Sequence, residues 1–162
     1  MKWYKRGMSL NDVIGLPQFE AEQILKEGDE VFIHGKLQNT DKTCPSCGSE
    51  ALKPHQYYQK KVRHLAFGNL PTYLVFERKD WICGCGKVFL ERLDFQELYA
   101  HYTVQYADYV YELAKKQDLK RVTELENLSW DLAESLFLKG QQKKAGCLEN
   151  KGIQWEDRVS CG

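Results

Sequence analysis

The sequence predicts an α+β chain in two parts, a small β-rich module followed by a bundle of three helices, and three observations predict it. Four of its six cysteines fall in two tight turns, Cys44-Pro45-Ser46-Cys47-Gly48 and Cys83-Gly84-Cys85-Gly86. The segments around these turns are rich in aromatic and β-branched residues and are broken by glycine-containing turns. Beyond Phe89 the apolar residues recur instead at three- and four-residue intervals. The domain reading is therefore 9–93 for the strands and the cysteine-bearing module, 94–145 for the helices, and 146–162 for an unstructured or truncated tail.

At 162 residues, with 43% hydrophobic and 28% charged, the chain can bury a core. Lys plus Arg and Asp plus Glu each number 23, which excludes the bulk electrostatics of a polybasic protein. Any affinity for nucleic acid must then come from how charge is distributed. No run approaches the roughly 18 apolar residues of a spanning helix. The basic start Met1–Arg6 is followed by Ser9, Asn11, Asp12 and Pro17 where a signal peptide would be apolar. These features predict a cytoplasmic protein with no membrane partner.

Taken in order, Phe19–Leu25 and Val31–Leu37 read as paired strands, turned at Glu27-Gly28-Asp29. Gln56–Leu65 and Thr72–Trp81 read as a second hairpin, with Gly68-Asn69-Leu70-Pro71 as its turn. The first helix runs from the N-cap Thr103 to about Lys116, with Tyr102, Tyr106, Tyr109, Val110 and Leu113 as an apolar stripe. The second, Leu119–Glu126, offers Leu119, Val122 and Leu125 to the same core. After the turn Asn127-Leu128-Ser129, with Ser129 as cap, the third spans Trp130–Lys139 and stops at Gly140. Its inward residues are read as Trp130, Ala133, Leu136 and Phe137. Helix, three-residue turn, helix, after a supporting helix, is the pattern of a helix-turn-helix.

A reducing compartment keeps thiols free, so the cysteine spacing points to metal and not to disulfides. Zinc takes four tetrahedral thiolates, and the glycine after each pair leaves room for backbone amides to point at sulfur. Cys44, Cys47, Cys83 and Cys85 are the expected zinc ligands, and two such turns at the base of a hairpin describe a zinc ribbon. Three other readings exist: a thioredoxin-like pair, disfavoured because Gly48-Ser49 follows where a helix should open; a rubredoxin-like iron site; and replacement of a ligand by His34, His55 or His64. Cys147 and Cys161 are read as ordinary free thiols.

Residues 36–79 hold eight Lys and Arg against three acids, a local excess of five, nearer three once four thiolates surround a divalent ion. The sharpest concentration is Lys60-Lys61-Val62-Arg63-His64, beside Tyr57 and Tyr58. Such a cluster suits a phosphate backbone, and it equally suits a solvated strand face. On the third helix Ser129, Glu134 and Ser135 would face base edges, with Lys139, Lys143 and Lys144, and Gln141 and Gln142 beside them, toward phosphates.

The ordered series Leu16-Pro17-Gln18-Phe19-Glu20, Cys44-Pro45-Ser46-Cys47-Gly48-Ser49, His55-Gln56-Tyr57-Tyr58, Lys61-Val62-Arg63-His64-Leu65, Trp81-Ile82-Cys83-Gly84-Cys85-Gly86-Lys87-Val88-Phe89, Tyr102-Thr103 and Leu128-Ser129-Trp130-Asp131 resembles the N-terminal region of bacterial insertion-sequence transposases of the ISL-three family. The resemblance covers about residues 9–140, leaving the first seven outside it and Met8 as a candidate start. It implies a zinc finger and helix-turn-helix that recognise a mobile element's terminal inverted repeats in double-stranded DNA, at the bacterial nucleoid. It also implies that strand transfer belongs to a downstream ribonuclease-H-like domain with three acidic metal ligands. Glu156-Asp157 is a lone acidic pair and cannot assemble a two-metal site, so no catalytic residue is assigned. The competing reading is a zinc-stabilised protein-interaction module that assembles with a full-length transposase, motivated by Asp131 and Glu134 on the third helix. An independent redox enzyme or nuclease ranks last.

Overall fold

Alternating apolar residues in the first third of the chain build a hairpin of β1 (Phe19–Glu27) and β2 (Glu30–Leu37), turned at Gly28, whose φ is 57°. The second hairpin pairs β3 (Lys53–Phe67) with β4 (Leu70–Ile82). Both were expected, and the strands are longer and the turns tighter than their composition suggests. Gly68 and Asn69 alone make the second turn, both left-handed at φ 57° and 66°, which matches the twist of the flanking strands. Leu70 and Pro71 belong to the strand. This computed structural model describes Gly7, residues 9–51 and residues 53–150, the last four without their side chains. The readings made for Met8, Cys161, Glu156-Asp157 and the tail from 151 lie outside the described residues, as does the side chain of Cys147.

The two hairpins join through a parallel pairing of β2 with β4, from Val31 opposite Thr72 to His34 opposite Val75. The sheet order is β1-β2-β4-β3, and the short β5 (Val88–Leu90) pairs with the end of β4. On the inner face Val31, Ile33, Val62, Leu74 and Phe76 pack with Leu16, Phe19, Leu93 and Phe95. Phe19, Phe76 and Phe95 meet edge to face at centroid separations of 5.8 to 6.3 Å, the arrangement ring quadrupoles favour. Gly35 lies against the Phe19 ring and the Glu20 carbonyl, where a Cβ would sit 2.6 Å from Phe19 Cζ.

Helix α1 (Leu10–Ile14) was not anticipated, since five residues are too few to show a period. Its signal is local. Ser9 Oγ accepts from Asp12 N at 3.2 Å, Asp12 Oδ2 accepts from Ser9 N at 2.9 Å, and Gly15 ends the helix at φ 65°.

The chain divides into two compact units, Met1–Gln105 and Tyr106–Gly162. Residues 94–103 belong with the sheet, where Phe95 joins the core. In the second unit lie most of α2 (Val104–Lys116) and all of α3 (Leu119–Glu126) and α4 (Trp130–Asn150). Tyr106, Val110, Tyr111, Val122, Ala133 and Leu136 are buried. Glu126 receives the hydroxyls of Tyr106 and Tyr109 at 3.0 and 2.9 Å. Ser129 caps α4, its Oγ accepting from Leu132 N at 3.3 Å.

Three expectations need correction here. Trp130 and Leu125, read as core, are 52% and 50% exposed. Gly140 does not end α4, which continues to Asn150, so residues 146–150 are helical and not tail. The glycine is there because the Tyr111 side chain occupies the space a Cβ would need. Overall the described residues form a mixed α and β chain with one five-stranded sheet and four helices.

Candidate metal centre

Each cysteine pair sits on a turn that the backbone closes by itself. Cys44 N donates to Ser49 O at 2.8 Å and Gly48 N returns to Cys44 O at 3.0 Å, with Gly48 at φ 72°. This turn is pinned at its base by Ala51 N to Lys42 O at 3.1 Å and by Thr43 N to Asp41 Oδ1 at 2.9 Å. The second turn links β4 to β5: Cys83 N donates to Lys87 O and Gly86 N to Cys83 O, both at 2.9 Å, with Gly86 at φ 88°. A side chain at either glycine would be strained by that φ.

The two turns bring the four sulfurs within 4.8 Å of one another. Cys44 Sγ lies 3.7 Å from Cys85 Sγ, and Cys47 Sγ lies 3.3 Å from Cys83 Sγ. Tetrahedral zinc with bonds of about 2.3 Å to sulfur spaces its ligands about 3.8 Å apart, so the cluster has the size of one ion's shell. Cys44 and Cys83 are buried and Cys47 and Cys85 exposed, which leaves one side of the centre open to solvent.

The thiols are electrostatically unequal. Hydrogen bonds from the Ser49 side chain and backbone, then from Cys83, pull Cys47 down to about 6. At Cys83 the Cys85 amide works to lower the pKa, but Cys47, burial and the other two sulfurs outweigh it and push it up to about 12. Burial raises Cys44, and the amides of Cys47 and Ser46 with Cys85 reverse that to a net lowering. Four thiolates this close need a cation, and a divalent one supplies it. Among the described residues no histidine joins the cluster. His34 is half-buried on β2 and His55 exposed on β3. His64 is buried, with Nδ1 2.9 Å from Thr103 Oγ1, and burial pushes its pKa down to about 4.

The basic residues of β3 divide between the two faces of the hairpin. Pairs opposite one another share a face, so Lys61 with Val75 and Arg63 with Tyr73 lie on the outer side, and Lys60 with Phe76 on the inner. On the outer face Lys61 Nζ stands 4.1 Å from the Tyr73 ring centroid and 4.7 Å from that of Phe32, and these rings stack at 5.6 Å. Arg63 Nη1 donates to Tyr73 Oη at 3.1 Å. Lys79 Nζ lies 5.4 Å from the Tyr57 ring on the same face. Such cation–π seats hold the ammonium heads over aromatic rings at the surface.

On α4, Glu134 and Lys139 are exposed, Ser135 is half-buried and Ser129 serves as the cap. Lys143 Nζ lies 3.1 Å from Asp108 Oδ1, and Lys144 Nζ 2.6 Å from Glu112 Oε1, so acids on α2 meet both charges.

Sequence reasoning missed a buried polar cluster behind the metal turns. Arg78 is 1% exposed; its Nη1 donates to Gln96 Oε1 at 3.1 Å and its Nη2 to Glu91 O at 2.6 Å. The Glu91 carboxylate, also buried, accepts from Thr40 Oγ1 at 2.8 Å, Lys79 N at 3.0 Å and Trp81 Nε1 at 3.2 Å. The signal available was Arg78 standing in phase with Leu74 and Phe76 on an alternating strand.

Among known proteins, no curated sequence and no solved structure matches the chain. A family model does: the zinc-finger of transposase IS204/IS1001/IS1096/IS1165 matches residues 41–85. That segment contains all four clustered cysteines and the whole β3–β4 hairpin. Residues 41–85 are thus similar to a transposase zinc ribbon, and the four-cysteine cluster within them fits zinc as its structural metal.

Proposed function

We propose that this chain is the DNA-binding part of a transposase and recognises the terminal inverted repeats of a mobile element. Its modules in this reading are a zinc-stabilised β-ribbon within the first unit and, in the second, a helix-turn-helix made by α3 and α4. No chemical step is assigned to it. The observation that carries the reading is the metal-closed hairpin, because its outer face presents Lys61, Arg63 and Lys79 beside Tyr57, Tyr73 and Phe32. Rigid strands holding cations and rings at a surface suit the sugar–phosphate backbone. In the helical unit Ser129 caps α4 and Glu134 and Ser135 lie on its second turn, where a recognition helix meets base edges, with Lys139 a turn further on toward phosphate. Lys60, Lys143 and Lys144 supply backbone contacts, the last two by exchanging exposed carboxylates for phosphates.

A gel-shift series with the zinc-loaded chain tests this against the parent element's inverted repeats and scrambled duplexes of equal length. A specific complex whose affinity falls steeply with salt is expected. Equal, weak binding to all duplexes overturns it.

A second reading, assembly with a full-length transposase, has its own observation. Trp130, Leu125 and Leu138 are about half exposed on α3 and α4, and exposed apolar residues of this size suit a protein partner. Sedimentation with and without DNA separates the two: a stable oligomer with no DNA shift favours assembly.

A further inference from the structure

The sheet order β1-β2-β4-β3 leaves β3, 15 residues long, as an edge strand. Among the described residues its open side is met at one place. Arg63 N donates to His101 O at 2.9 Å and Arg63 O accepts from Thr103 N at 2.8 Å, a parallel bridge onto Tyr102. Just before that bridge the chain turns off the edge, with Ala100 N donating to Glu97 O at 3.2 Å and Tyr99 at a left-handed φ of 64°. Backbone groups along a strand alternate between its two sides. From Gln56 to His64 the pairing of β3 with β4 has no register shift, so Tyr57, Gln59 and Lys61 project N–H and C=O from the edge as Arg63 does. Lys79, opposite Tyr57, agrees: its own N and O turn away from β3, toward Glu91. Tyr57, Gln59 and Lys61 are exposed. Such an edge is a template for one more strand.

Charge narrows the occupant. β3 carries Lys53, Lys60, Lys61 and Arg63 and no acid. The nearby carboxylates stand on other strands: Glu77 opposite Gln59, Glu30 4.0 Å from Lys61 Nζ, and Asp80, which accepts from Tyr58 Oη at 2.8 Å. Lysines on an edge repel a like strand, and a second copy docked through the same edge would set Lys60 and Lys61 against their own counterparts. The same charges attract a strand whose acids fall beside Lys61 on the outer face. The inner side differs. There Lys60 has Asp80 in the same lining, and Val62, Val88, Phe89 and Leu90 give apolar wall to a cavity of about 310 Å³ beside the edge.

We propose that the β3 edge from Tyr57 to Lys61 takes an extended acidic peptide of a partner protein as an added strand. Its backbone pairs with the open groups of Tyr57, Gln59 and Lys61, an outer-facing acid lies beside Lys61, and an inner-facing apolar side chain turns toward the cavity. Donors and acceptors repeating every second residue match a polypeptide backbone, whereas a sugar–phosphate backbone offers no N–H to the open carbonyls. The edge stands apart from repeat recognition and shares only Lys61 with the outer cationic face.

The test is a heteronuclear NMR titration of the zinc-loaded full chain with an end-capped synthetic peptide alternating Glu and Val. Saturable binding is expected, with hydrogen exchange slowed at the amides of Tyr57, Gln59 and Lys61 and unchanged at Tyr58 and Lys60, which already face β4. The same peptide N-methylated at every second residue, and one with Lys in place of Glu, should each bind about tenfold more weakly or worse. Gln59→Pro removes an edge N–H that makes no bond to β4, a change edge strands tolerate, and should abolish binding while zinc content and the strand signal persist. No saturable binding overturns the proposal, as does equal affinity for the Lys peptide or for the N-methylated one. A short duplex that protects the same alternate amides also overturns it, giving the edge to nucleic acid.

Discussion

Gly140 lies directly beneath the ring of Tyr111, so close that a Cβ at position 140 would fall within 2.9 Å of Tyr111 Cβ and nearer still to its ring. Helix propensity would favour alanine by about 1 kcal/mol, but overpacking costs about 1–3 kcal/mol. Gly140→Ala is therefore expected to lower the melting temperature of the helical unit. Gly146, with nothing within 4 Å of its Cβ position, is the control. There, substitution by alanine should stabilise α4 slightly, and equal effects at both positions would contradict the packing argument.

Removing the metal should unfold the ribbon while the helices persist. Cys83 is a buried member of the sulfur cluster, and a structural zinc is worth roughly 10–16 kcal/mol, more than most small domains possess. Cys83→Ser, or a strong chelator, is expected to abolish zinc in elemental analysis and to collapse the strand signal in circular dichroism. An unchanged melting profile would count against a structural metal.

Acid should destabilise the first unit through His64. Its pKa is depressed to about 4 by burial, below the ordinary 6.5 of the unfolded chain, so the unfolded state binds the proton first. The stability is intact above about 6.5 and is lost as pH falls toward about 4, reaching about 3 kcal/mol. Denaturant melts across that window should show the slope, and His64→Gln should flatten it.

Replacing Glu91 by alanine should be among the most damaging single changes in the sheet. It strips acceptors from Thr40, Trp81 and the Lys79 amide together, and each buried donor left unpaired costs about 1–3 kcal/mol. Urea titration should show a loss of about 3 kcal/mol or more, with Trp81 fluorescence reporting the change.

On the outer face, Lys61→Ala and Arg63→Ala are each expected to weaken duplex binding uniformly across sequences. Each should also reduce the slope of log affinity against log salt by about one. A loss confined to one sequence would reassign these residues from backbone to base contact.

What was legible in the sequence was whatever depends on near neighbours. Cys-x-x-Cys-Gly and Cys-x-Cys-Gly place two donors and a left-handed glycine within five residues, so the sulfur cluster and its ligands could be read directly. Gly68-Asn69 announced its hairpin for the same reason. Long-range facts were hidden. The parallel β2–β4 pairing leaves no mark on either strand, and Arg78 and Glu91 look like surface charges until Trp81, Thr40 and Gln96 are brought to them. Trp130 was placed inside because bulk suggests burial, whereas the smaller Ala133 and Leu136 fill that side of α4. Gly140 signalled an end because close helix contact and helix termination favour the same residue.

The parallel alignment of β2 with β4 has a kinetic consequence. Between Leu37 and Leu70 the chain must lay down the first cysteine turn and all of β3 before β4 can take its place beside β2. Ion capture fastens the start of that excursion to the end of β4, shortening the search for a non-local alignment that would otherwise be slow. Refolding with zinc present should outpace refolding in which it is added late, making the ion an assembly aid as well as a clamp.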